Sequence, residues 1–156
     1  MFSYVHNRKQ PTERQVTIWN LNRNKLTGRE IAQQIKVDPG FVSRSLKEAN
    51  KRIKGLLEDV AKMNKIKLDL MNGELGIARG HSYIFDITAY LTFSPINGLQ
   101  VWYEHKGDCT SCEEFVECRK ALLQEFKERD LEIPNPTLRP TDLSDLLFKK
   151  IEEILS

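Results

Sequence analysis

Three helix starts are encoded between residues 12 and 39, and together they oblige this stretch to fold as short helices joined by tight turns. Thr12 is followed three positions on by Gln15, and Thr27 by Glu30. In such a pair the hydroxyl accepts from the backbone N–H at the third helical position, while the longer side chain reaches back to the backbone N–H of the threonine. Asp38 stands before Pro39; an aspartate satisfies the free N–H groups of a first turn, and a proline at the first helical position loses no hydrogen bond. Behind the second cap, Ile31, Ala32 and Ile35 share one helical face, with Ala32 small where two helices cross closely. Behind the third, Val42 and Leu46 point inward, and Lys36-Val37 forms the turn between, with Val37 tucked in. Residues 26–46 therefore read as two helices joined by a tight turn, the arrangement that lays its second helix in the major groove of DNA.

Gly40, Phe41, Ser43, Arg44 and Lys47 are left on the outer side of that second helix. A guanidinium suits guanine edges or phosphate, an ammonium suits phosphate, and a serine hydroxyl suits either. The expected partner is double-stranded DNA, with phosphate contacts from Arg14, Arg29, Lys36, Lys47 and Lys51 and base contacts from Ser43, Arg44 and Phe41. The competing reading is a helical hairpin used only for packing, and charge weighs against it. Residues 1–67 carry fifteen Lys and Arg against six Asp and Glu, a net +9; residues 68–156 carry nine against sixteen, a net −7, within the overall +2. A basic half joined to an acidic half suits a DNA-binding unit attached to one that avoids DNA.

The run Thr12-x-Arg14-Gln15-x-x-Ile18-Trp19-x-Leu21, then Leu26-Thr27-x-x-Glu30-Ile31-Ala32, then Val37 and Val42-Ser43, resembles the LuxR-type and sigma-region-4-like helix-turn-helix families position by position. The resemblance is confined to residues 12–53, about a quarter of the chain. The sequence departs from those families at Lys36, where they usually carry glycine; a left-handed lysine is expected there, at some conformational cost. The resemblance implies a prokaryotic one-component transcription regulator, the archaeal kind included. It also implies a homodimer, because LuxR-type proteins often pair through the region after the second helix and two-fold pairing suits palindromic sites.

Leu46, Ala49, Ile53, Leu56, Leu57, Val60 and Met63 continue the helical spacing, so one helix is predicted from Pro39 to about Lys65. Its seam beyond Ile53 needs a partner, either the second half of the chain or a second subunit. The period then changes to two. Ile66, Leu68 and Leu70 alternate, Asn72-Gly73 marks a hairpin, and Leu75 and Ile77 follow. Tyr83, Phe85, Ile87, Ala89, Leu91 and Phe93 take every odd position, with Asp86, Thr88 and Thr92 at even ones, predicting the longest strand with one buried and one mostly polar face. His81, beside Gly80, reads as a turn residue before that strand and His6 as a tail residue. Ser94–Gly98 is a turn and Leu99–His105 a further strand; Tyr90 and Trp102, on the other face, are free to stack on a ligand. A helix over Glu113–Arg129 has Phe115, Cys118, Leu122, Leu123 and Phe126 on one stripe, and three prolines stiffen Ile133–Pro140. Thr141 is expected to cap a last helix with Leu143, Leu146, Leu147, Ile151, Ile154 and Leu155 as its seam. The fold class is α+β: an all-α helix-turn-helix unit with a long third helix over residues 1–65, then a small antiparallel sheet packed with C-terminal helices over 66–156, serving dimerisation or sensing.

All three cysteines fall within ten positions, as His105-x3-Cys109-x2-Cys112-x5-Cys118. Four ligands of type Cys3His suit a tetrahedral zinc ion, and three cysteines with an outside ligand suit an iron–sulfur cluster. Two other readings stand beside these: a Cys109–Cys112 disulfide switch, and plain core and loop thiols. An odd cysteine count argues against a closed disulfide framework, no apolar stretch approaches the ~20 residues that span a bilayer, and the first residues lack the apolar core of a secretion signal. A cytoplasmic, non-membrane protein is expected. The alternatives to a regulator are a thiol- or metal-dependent enzyme targeted by its helix-turn-helix and a structural protein that binds DNA without sequence choice. The sequence names no small-molecule effector.

Overall fold

The caps form as the sequence sets them. A computed structural model describes residues 10–104, 107–133 and 135–156. Helix α1 spans Glu13–Arg23, α2 spans Gly28–Ile35 and α3 spans Pro39–Met63. The Gln15 N–H donates to Thr12 Oγ1 at 3.2 Å while Gln15 Oε1 accepts from the Thr12 N–H at 2.9 Å. The Thr27–Glu30 pair repeats this at 3.2 and 2.7 Å. Asp38 accepts from the N–H groups of Gly40 and Phe41. Lys36 takes the left-handed conformation, φ 58° and ψ 53°, which reverses the chain between α2 and α3. Ile18, Ile31, Ala32 and Val42 form the buried centre of this three-helix head, ringed by Leu21, Leu26, Ile35, Val37 and Leu46.

Four strands follow, β1 Ile66–Asn72, β2 Ile77–Ser82, β3 Ile87–Ser94 and β4 Gly98–Tyr103, paired antiparallel in sequence order. The seam of α3, namely Ala49, Ile53, Leu56, Leu57 and Ala61, packs on the sheet face that carries Ala78, Ala89, Leu91 and Phe93. The partner that the seam requires is thus the chain itself. Trp19 of α1 joins the same core, edge-on to Phe93 at 5.3 Å between ring centres. Two further helices, α4 over Phe115–Glu128 and α5 over Pro140–Leu155, cover the opposite face through Leu122, Phe126, Leu143, Leu147 and Ile151. The architecture is α+β, a sheet between one long helix and two shorter ones. No described helix is long and apolar enough to cross a membrane.

Several local expectations are corrected. The third strand begins at Ile87, not Tyr83: residues 83–86 are a turn closed by Asp86 at φ 54°, and Tyr83, Ile84 and Phe85 are 64, 63 and 58% exposed. Tyr83 and Phe85 fall in phase with the strand that follows, so alternation alone extends it too far. The second strand runs on to Ser82, which places His81 within it, bonded to Asp86 at 2.9 Å. Gly80 is required there because a Cβ would collide with the Lys67 carbonyl of β1. The even face of β3 is not solvent-facing: Tyr90, Thr92 and Ser94 are buried beneath α4 and α5. Thr141 does not cap the last helix, whose first residue is Pro140 behind Arg139. Leu146 and Ile154 lie outside its seam, exposed.

Candidate nucleic-acid interface and thiol-lined cavity

One side of helix α3 packs on the head in its first turns and on the sheet beyond them. Val42, Ser45, Ala49 and Ile53 are buried, while Ser43, Arg44, Lys47 and Lys51 are exposed along the opposite side. Gly40 leaves space there: a Cβ on it would stand 3.2 Å from an Arg44 guanidinium nitrogen and closer still to the Asp38 carboxylate. Arg29 on α2 and Lys36 at the turn are exposed, as is Arg14 on α1. Phe41 is half-buried against the head core, and the Arg14 guanidinium lies 5.4 Å above its ring.

The acids of this surface are already engaged. Glu30 and Asp38 accept from backbone N–H groups, and Glu48 is paired with Arg52 at 2.9 Å. Among the described residues none of Arg14, Arg29, Lys36, Arg44, Lys47 or Lys51 forms an ion pair. Six exposed cations on the three-helix head, none of them ion-paired among the described residues, are the kind of groups that suit a polyanion. The β1–β2 turn bounds it, since Gly73 approaches the Asn50 carbonyl and Lys54 on α3.

The three cysteines are gathered around one cavity. Cys109 is buried in a short 3-10 turn over Cys109–Ser111, Cys112 is exposed after it, and Cys118 is half-buried on α4. The Cys109 thiol donates to Thr141 Oγ1 at 3.5 Å, and burial, then the neighbouring Cys109 and Cys112, push the Cys118 thiol above its ordinary range. Among the described residues no three His, Cys, Asp or Glu side chains converge closely enough to hold a metal ion, and His105 lies outside those residues. What the three thiols do share is one cavity of 570 Å³, bordered also by Trp102, Phe115, Leu122 and Phe148.

The Tyr90 ring is already stacked, and the Trp102 indole N–H has a partner. Tyr90 lies against Phe148 at 4.2 Å and donates to Glu152 at 2.8 Å. Trp102 Nε1 donates to Thr92 Oγ1 at 2.8 Å, and Thr92 donates to Glu125 Oε1 at 2.9 Å. Arg129 Nε bonds Glu125 Oε2 at 3.0 Å and donates further to the Leu75 and Phe93 carbonyls. Burial pushes the Glu125 carboxyl up, against the opposing pull of Arg129 and Thr92. Next in line, Arg23 at the end of α1 donates to the Glu128 carbonyl at 2.8 Å and lies 4.6 Å over the Trp19 ring. Its pKa is lowered to about 10, first by desolvation and then by Arg129. The sequence reading missed this buried polar chain. The available signal was Glu125, three residues after Leu122 on the inward stripe of α4 and four before Arg129.

The chain matches no family model, no curated protein and no solved structure.

Proposed function

We propose that the protein is a cytoplasmic, sequence-specific DNA-binding regulator of transcription that lays the first turns of α3 in the major groove. The observation that carries this reading is the exposed, unpaired row Ser43, Arg44, Lys47 and Lys51 on a capped helix, flanked by Arg14, Arg29 and Lys36 on the same head. Arg44 and Ser43 contact base edges; Arg14, Arg29, Lys36, Lys47 and Lys51 contact phosphates. The resemblance to LuxR-type and sigma-region-4-like helix-turn-helix proteins points the same way. The active form is a homodimer on a two-fold site, paired through a surface other than the α3 seam, which the sheet already covers.

Selection of duplexes from a random pool, followed by titration at several salt concentrations, tests this. One enriched motif is expected, with log K falling against log salt at a slope of about −4.5 per protomer for five phosphate contacts. Binding with no enriched motif would leave a structural DNA binder, and no binding at low salt would end the reading. Light scattering at micromolar concentration tests the dimer, and a turnover assay with a disulfide substrate tests the opposite reading of the thiols as an enzyme's.

A further inference from the structure

The cavity beside β4 is deep rather than flat. Its floor, Cys109, Leu122 and Phe148, is buried, while its rim, Phe85, Asp108 and Glu114, is exposed. Phe85, at the tip of the β2–β3 turn, stands edge-on to Tyr103 at 4.9 Å and makes one lip. The volume of 570 Å³ lies within the range of small-molecule sites, roughly 300–1,000 Å³. The wall chemistry restricts the occupant. Among the described residues no Lys or Arg lines the cavity. The Asp108 carboxylate is spent on Thr110 and Ser111, and Thr141 and Ser144 are neutral hydroxyls. Thiols and aromatic rings are weakly polar, polarizable surfaces that favour another ring.

We propose that this cavity is a binding site for a small, uncharged, mostly apolar molecule carrying an aromatic ring. The site does not depend on the DNA reading, although its wall residue Trp102 heads the polar chain that runs through Thr92 and Glu125 to Arg129. The test uses N-phenyl-1-naphthylamine, an uncharged aromatic fluorophore, on the full chain. One probe per protomer is expected, with slower alkylation of Cys118 when the probe is bound. Ser144→Phe, which fills the cavity from α5, is expected to weaken the probe on the order of tenfold or more at unchanged thermal midpoint. It is expected to leave DNA affinity unaltered, so that failure of the DNA reading shows separately. Absence of probe binding, equal affinity in Ser144→Phe, or unprotected Cys118 would each overturn the site. If Ser144→Phe folds poorly, Cys118 protection in the natural chain decides. Loss of probe binding as the protein dimerises would assign the cavity to a second copy and overturn the small-molecule reading.

Discussion

Lys36 carries a conformational cost that most residues of the head avoid. At φ 58° it holds the left-handed geometry that disfavours a side chain by ~1–2 kcal/mol, against ~0.5–1 kcal/mol of extra chain entropy for glycine. Lys36→Gly should therefore raise stability by up to about 1 kcal/mol in urea unfolding, and should weaken DNA binding slightly by removing one cation. Arg44→Ala should cost about 1–3 kcal/mol at the selected duplex and relax its sequence preference, measured by anisotropy titration. An equal loss on all duplexes would make Arg44 a phosphate contact only. At this scale the sequence was a good guide wherever the determinant was local. Both threonine caps, the Asp38-Pro39 start and the left-handed Lys36 each depend on neighbours within four positions. The Arg14–Phe41 contact was not legible, because it joins two helices.

Among the elements, α3 has the most to hold. Ile53 is fully buried where the helix passes from the head to the sheet, so Ile53→Ala should cost about 2–5 kcal/mol by thermal or urea unfolding. Thr27→Ala, which removes the α2 cap, should cost about 1 kcal/mol. Helices were legible because a period near four repeated over many residues, and the four-strand sheet because of its alternation and turn pairs. Strand ends were less so. Alternation at Tyr83 and Phe85 looks the same in a strand or in the turn that precedes one, and only the left-handed Asp86 separates them. Thr92 read as part of a mostly polar face and Ser94 as a turn residue, because hydroxyl side chains give no sign of the Glu125 and Glu128 carboxylates that they bond. The cysteine spacing correctly brought three thiols to one place, but spacing alone says nothing of whether the sulfurs converge on an ion.

In the whole molecule, two charged groups of opposite pH behaviour join the layers. Glu152 and Asp69 are held below their ordinary 4.5 and 3.8, first by hydrogen bonds from Arg79. Such acids add stability above the unfolded value and lose it as pH falls through the folded one. Stability should therefore decline below about pH 4.5, and Arg79→Gln should flatten that decline in urea midpoints measured from about pH 3 to pH 7. Glu125 runs the other way: pushed up by burial, its contribution is greatest at low pH and falls as pH rises above its ordinary 4.5. Its removal tests the polar chain, since Glu125→Ala strands the buried Arg129 and should cost about 3–5 kcal/mol.

The 25 residues of α3 make a rod about 37 Å long, with its first turns on the proposed groove-facing side and its last turns laid on the sheet. Pivoted at the sheet end, a tilt of about 5° would carry Ser43 and Arg44 sideways by about 2.5 Å, several times the ~0.5 Å spread of a sound hydrogen bond. A disturbance too small to open either core would be enough to break such a bond. The geometry makes a lever of this one helix, with its fulcrum at the sheet and its long arm at the proposed DNA-facing surface.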